Sequence, residues 1–273
     1  MSRPSPSPRS GRSARSRIGG VERTIDLNAD VGEGSGDSRR GADASLLDLV
    51  SSASIACGFH AGDARTMRET VSAARDRGVA IGAHPSYPDL PGFGRRELGL
   101  DAAEIRRVVT IQLELLADVC ARADARLAYV KPHGALYNRA TLDRSAADAI
   151  AAAVSALDPE LRVLCPGASE LADSARRAGL QAVAEAFADR AYGADGRLLS
   201  RERAGALLSD PDSAAARALR LVTDGTIESV EGRSLRLEAQ SLCVHGDGDS
   251  ALPMLQILRR RLEEAGVEIV SFA

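Results

Sequence analysis

From residue 24 onward, short β-branched or apolar runs alternate with longer stretches whose apolar positions recur at helical spacing. Residues 24–30 read as a strand and 43–53 as a helix with Asp43 as its N-cap. Residues 54–59 form the next expected strand. A helix over 63–77 follows, with Met67, Val71 and Ala74 on one face and Gly78 as its stop. A third strand is expected over 79–83, then a long loop over 85–98 rich in Pro and Gly, a helix over 101–123 and a strand over 126–130. Two helix–strand pairs come next, 145–156 with 161–165 and 168–178 with 181–186. A polar stretch, a helix over 213–223, a strand over 235–244, a helix over 251–265 and a strand over 267–272 complete the pattern.

About seven β–loop–α units with no composition break between them predict one parallel-stranded α/β domain over residues 23–273. Periodicity alone does not separate a closed (β/α) barrel from an open doubly wound sheet. The unusual polar residues do. Asp26, Asn28 and Asp30, His60 and Asp63, His84, Lys131 and His133, Glu185, and His245 and Asp247 fall at or near the C-terminal ends of at least six expected strands. An open sheet gathers its ligands at one switch point, whereas a barrel brings every C-terminal strand end to one mouth. The expected fold is therefore a parallel (β/α) barrel, read as seven-stranded.

Composition narrows the class. The 273 residues are 44% hydrophobic and 27% charged, ordinary values for a globular protein. The formal net charge of −3 is unevenly spread: residues 1–20 carry five arginines and no acid, leaving thirty basic against thirty-eight acidic groups elsewhere. That acidic body is a poor nucleic-acid binder. Residues 1–22, rich in Ser, Pro and Arg, read as a disordered basic extension. They have no apolar stretch of a secretory signal, though they imitate an organellar transit peptide or a tether to an anionic surface. No apolar run approaches the ~20 residues that span a bilayer. Cys57, Cys120, Cys165 and Cys243 form no CxxC pair and read as reduced, buried thiols in a cytoplasmic protein.

The chain holds thirty-four arginines and one lysine, Lys131, two residues before His133. All four histidines lie in Gly/Asp-rich strings, and the two asparagines, Asn28 and Asn138, lie in or beside such strings. An ammonium is a compact donor whose pKa moves on burial, which a guanidinium does not match. Imidazoles, one lysine and several carboxylates meeting at a dry mouth supply proton transfer and charge stabilisation. On one strand Asp26, Asn28 and Asp30 point the same way. The pattern is read as needing no resident metal: HExxH is absent, and His60, Asp63 and His133, or His84, are the ligands if one is held. A P-loop is excluded, because the sole lysine precedes Pro132. Arg95 and Arg96 in the long loop are candidates to clamp a carboxylate or phosphate.

The strings IDLNADVGEG, SSASIACGFHAGD, GVAIGAHPSYPD, GFGRR, VKPHGALYN, EAFADRAY and SLCVHGDGDSAL, in that order from residue 25, closely resemble the LamB/YcsF family, described as the A subunit of prokaryotic 5-oxoprolinase. The resemblance implies a seven-stranded barrel related to glycoside hydrolases and deacetylases. It also implies ATP-dependent opening of 5-oxo-L-proline to L-glutamate with partner subunits B and C, with Mg2+ accompanying the ATP. On this reading His133 activates water, Lys131 stabilises the oxyanion, and His60 or His84 protonates the departing nitrogen. Asp26, Asp30, Asp63 and Asp247 orient the histidines or hold magnesium. Substrate or phosphate contacts are expected from Asn28, Asp63, Arg95, Asn138, Glu185, Asp189, Arg190, His245 and Asp247. Two rival readings remain: a stand-alone metal-dependent deacetylase or glycosidase using the same mouth, and a non-catalytic subunit that binds 5-oxoproline for its partners.

Overall fold

The computed structural model describes residues 23–34, 37–246 and 250–273, so the expected tail over 1–22 and Asp247 lie outside the described residues. The alternation of Ile25, Leu27, Ala29 and Val31 with Asp26, Asn28 and Asp30 is realised in β1 (Arg23–Val31). The chain continues through α1 (Asp37–Leu47), β2 (Ser52–Ala56), α2 (Ala64–Asp76), β3 (Ala80–His84), α3 (Ala102–Arg122) and β4 (Leu127–Val130). After β4 come α4 (Gly134–Leu142), α5 (Arg144–Leu157), β5 (Arg162–Cys165), α6 (Glu170–Arg177) and β6 (Gln181–Phe187). The last part holds α7 (Pro211–Asp224), β7 (Thr226–Glu228), β8 (Ser234–Arg236), β9 (Ser241–Val244), α8 (Ala251–Glu264) and β10 (Val267–Ile269).

Strands β1, β2, β3, β4, β5, β6 and β9 pair in that order, and β9 returns to β1, closing a parallel seven-stranded barrel. Ser241 of β9 faces Glu185 on one side and Asp26 on the other. Below it, β10 pairs with Arg23–Ile25 of β1. Strand residues of one parity, such as Leu27, Ile55, Ala83, Val130, Val163 and Leu242, face outward into the main hydrophobic core with Val71, Ile105, Leu113 and Ile150 of the helices. Those of the other parity fill the lumen. At its base the Tyr129 ring packs with Leu164 and Val183. It takes the space that a side chain at Gly82 would need.

Three expectations need correction. The strand expected over 235–244 is split: Ser234–Arg236 pairs antiparallel with Thr226–Glu228 outside the barrel, and only Ser241–Val244 enters the wall. The helix expected over 43–53 runs instead over Asp37–Leu47, and Asp43 lies inside it, accepting the Gly32 N–H at 3.0 Å rather than capping. Helix α4 was not expected, since Pro132 and His133 lead into it and Gly134 is its first residue. All four cysteines are free and buried. No described helix is long and apolar enough to cross a membrane.

Candidate active site

The inward residues of β1 form a ladder up the lumen. At the floor, the Asp26 carboxylate accepts hydroxyl hydrogens from Ser51 at 2.6 Å, Ser52 at 2.8 Å and Ser241. Burial pushes this carboxyl up to about 6 against those bonds. One layer higher, the Asn28 amide donates to Glu185 Oε1 at 3.1 Å and Ser241 Oγ at 2.8 Å. Lys131 Nζ reaches Asn28 Oδ1 at 3.1 Å, Asp30 Oδ1 at 2.9 Å, Glu185 Oε1 at 2.8 Å and Cys243 Sγ at 3.1 Å. Burial opposes its charge, but Asp30 and Glu185 outweigh that penalty and hold Lys131 well above the ordinary lysine range. It is a fixed ammonium, not a movable base. Asp30 is the mirror case: burial raises its pKa, and His84 and Lys131 together carry it well below the usual carboxylate range.

Above this ladder three imidazoles converge. His84 ends β3, and its Nδ1 lies 2.7 Å from the Lys131 carbonyl, so Nδ1 carries a proton. His133, the residue before α4, places Nε2 2.9 Å from the Phe93 carbonyl, so Nε2 carries a proton as well. The remaining nitrogens, His84 Nε2 and His133 Nδ1, face each other at 2.9 Å. His60 stacks on His133 with centroids 3.9 Å apart and planes 7° apart. The Glu33 carboxylate closes the group, with Oε1 at 3.2 Å from His60 Nε2 and 3.4 Å from His133 Nδ1. Burial drives His60 down to about 3 and His133 well below its ordinary value, so both are neutral at pH 7.

The long loop holds this arrangement in place. Gln112 on α3 takes the Ser86 N–H at 2.9 Å and returns its amide to the Ser86 carbonyl at 2.8 Å. Asp89 binds Arg96 and the Gly92 N–H. Phe93, at φ 54°, sits in the left-handed region, and the turn aims its carbonyl at His133. Gly94 follows at φ 65° and accepts the Ala135 N–H at 2.9 Å, which seats α4.

Beside the histidines opens a cavity of about 640 Å³, with Asp30, His84, Lys131 and Glu185 at one end and Arg95, Arg190, Arg197, Arg201 and Arg236 along its wall. Tyr137 of α4 also lines it and donates to Glu185 Oε2 at 2.9 Å. His245 lines it too, with Nδ1 2.8 Å from Asp189 Oδ2 and its ring stacked on Phe187. Desolvation raises the pKa of the half-buried Asp189, but His245 more than offsets this and holds it low. With Nδ1 donating to Asp189, Nε2 is the ring nitrogen left to exchange a proton.

With the geometry in place, relatives become informative. A profile of the LamB/YcsF family matches residues 25–273. The chain belongs to the LamB/YcsF family. A protein from Agrobacterium fabrum, named as a 5-oxoprolinase A subunit, is 48% identical over 249 residues, 91% of this chain and 98% of that one. The crystal structure of the lactam utilization protein from Thermus thermophilus is 43% identical and superposes with a TM-score of 0.85, covering 91% of this chain and all of that one. The catalytic domain of a peptidoglycan N-acetylglucosamine deacetylase from Eubacterium rectale shares the fold alone, at 9% identity and a TM-score of 0.50 over 96% of this chain and 93% of that one.

In this LamB/YcsF chain most of the residues singled out in the sequence gather in one region. His60, His84, His133, Lys131, Asp30, Asn28 and Glu185 are buried together, while Arg95, Arg190, His245 and the exposed Asn138 border the cavity. Three expectations change. Asp63 is exposed, and its carboxylate caps α2 by accepting the Thr66 N–H at 2.7 Å, so it is neither metal ligand nor phosphate contact. Asp26 lies on the floor among serines, removed from the histidines, which makes it a positioning group rather than a catalytic one. Arg96 is bound to Asp89, so of this loop pair it is Arg95 that lines the cavity. Sequence reasoning missed Glu33 and Tyr137. Glu33 lies past the end of β1, where strand alternation no longer assigns direction. Tyr137 stands one helical turn after His133, a signal hidden by the unrecognised helix.

Proposed function

We propose that this chain is the A subunit of a cytoplasmic, ATP-hydrolysing 5-oxoprolinase that opens 5-oxo-L-proline to L-glutamate with partner subunits B and C. The observation that carries this reading is the arginine-walled cavity running onto a buried carboxylate, ammonium and imidazole array, in a chain 48% identical to a protein named as a 5-oxoprolinase A subunit. The lactam ring is nearly unstrained, and its amine and carboxylate stay tethered after opening, so effective molarity favours reclosure. Coupling to ATP supplies the driving force: phosphorylation of the lactam oxygen gives an imidate-like carbon that water attacks. ATP brings Mg2+ on its phosphates. Arg95 and Arg190 are suited to the substrate carboxylate and the phosphate.

Because both His133 nitrogens are engaged, we assign water activation to His245 instead. Asp189 holds its Nδ1, and Nε2 takes the water proton and returns it to the departing nitrogen. Lys131 keeps Asp30 and Glu185 in place beneath the substrate.

The test measures glutamate and phosphate released from 5-oxoproline by this chain alone, then with B and C added. Turnover is expected only in the full mixture and only with ATP, and His245→Asn should lower kcat by about 10²–10⁴-fold. Glutamate formed by the chain alone without ATP would overturn the proposal and favour a stand-alone hydrolase. An unchanged kcat for His245→Asn would leave the chain a binding subunit.

A further inference from the structure

We infer that Glu33, His60, His84 and His133 form a binding site for one divalent transition-metal ion of the zinc class, a site absent from the reaction scheme above. Four potential ligand atoms, one from each residue, lie within 4.8 Å of one another. Three separate features point to a cation.

The first is the direction of the lone pairs. The Lys131 and Phe93 carbonyls each require a proton on the outer nitrogen of His84 and His133. The two inner nitrogens then point at each other at 2.9 Å, with Glu33 Oε1 3.9 Å from one and 3.4 Å from the other and Asp30 Oδ2 3.4 Å from His84 Nε2. Lone pairs do not face one another in a dry interior unless a positive centre lies between or beside them. Backbone carbonyls that fix the outer nitrogen of a histidine are also the usual support of a metal-bound imidazole. Bonds of about 2.0–2.1 Å in a tetrahedral set place ligands about 3.3 Å apart; four of the spacings here run from 2.9 to 3.9 Å, and none exceeds 4.8 Å.

Charge gives the second argument. Asp30 and Glu185 flank the ammonium of Lys131 and Glu33 lies against the imidazoles, with side-chain exposure of 8% or less in each case. A buried concentration of carboxylate beside imidazole nitrogens suits a cation held among them.

The third is His60, whose Nδ1 is buried with no hydrogen-bond partner among the described residues. The polar contact that orients the ring is therefore on the Nε2 side, toward Glu33 at 3.2 Å. The ion takes the place of the proton between them. A carboxylate with three imidazoles suits zinc, and equally cobalt(II) as a spectroscopic substitute, better than magnesium or calcium.

The experiment uses the isolated full chain and needs no turnover, so its outcome is independent of the oxoprolinase reading. Chain stripped with a chelator is titrated with Zn2+ by calorimetry, and with Co2+ while the visible d–d bands are recorded. One ion per chain is expected, with the intense bands of four-coordinate cobalt and a raised thermal midpoint. Glu33→Gln and His84→Gln, each checked for native circular dichroism, should weaken binding at least ~10-fold, while Asp63→Asn should leave it unchanged. The absence of 1:1 binding to wild-type chain would overturn the inference and leave a proton shared between His84 and His133. Binding that survives both ligand substitutions would overturn it as well.

Discussion

A lysine buried at the barrel centre is sustained only by its partners. The ammonium projects three N–H bonds outward from one point, and Asn28, Asp30 and Glu185 stand around that point from two strands. A planar guanidinium has neither the size nor the geometry for this position, which accounts for one lysine among thirty-four arginines. Lys131→Met leaves two buried carboxylates facing each other without a counter-ion. It should destabilise the chain by about 3–5 kcal/mol, measured as a fall in the urea midpoint, and Lys131→Arg should not restore it. A variant of wild-type stability would mean that these carboxylates take up protons at little cost. The rarity of Lys131, the histidine strings and the alternation of Asp26, Asn28 and Asp30 were all legible in the chain. That Asp63 would turn outward to cap a helix was legible too, as Asp–Ala–Arg–Thr before a helical pattern, but a capping aspartate and a metal-ligating one look alike until the side chain has a direction.

Among the elements, the turn after β3 does the most to shape the histidine cluster. Gly94, at φ 65°, lies against the site: a methyl group there would overlap Ser86 Oγ and stand 2.9 Å from His60 Cβ and 3.0 Å from His133 Cδ2. Gly99, at φ 64°, has nothing within 4 Å of the same position. Gly99→Ala should therefore cost only the left-handed backbone penalty, about 1–2 kcal/mol. Gly94→Ala should cost about 1–3 kcal/mol more through overpacking, and should also weaken Zn2+ binding. Unfolding midpoints and zinc titrations of the two variants side by side check this; equal effects would show that the turn does not position the histidines. Helix α3 was readable because its start is local: Asp101 and Glu104 form a capping box. Helix α4 was not, because its opening residues break helices. It is seated instead by the Gly94 carbonyl, forty-one residues away from Ala135.

The whole barrel closes over Asp26, where β1, β2 and β9 meet through Ser52 and Ser241. Its folded pKa of about 6 lies above the ordinary 3.8, so between those values the folded chain holds a proton that the unfolded chain has lost. Stability contributed by the neutral carboxyl is therefore present below about pH 4 and lost as pH rises through about 6. The loss is on the order of 3 kcal/mol. Asp26→Asn removes this dependence, so the wild-type urea midpoint should fall relative to the variant's between pH 4.5 and pH 7. Parallel profiles would mean that the three hydroxyl bonds keep Asp26 ionised in the folded chain.

The sequence alone determined most of the order of strands and helices, the parallel barrel and the scarce polar residues near its strand ends, because these follow from period and from the rarity of certain side chains. Tertiary structure decided which of those residues touch. Glu33 joins histidines 27, 51 and 100 positions away, Asp26 retires to the floor, and the arginines of the later loops come round to wall the cavity. Such pairings depend on strand register and on where loops return. Both are set by the closure of the sheet and by backbone carbonyls from distant turns, and neither leaves a mark in local sequence.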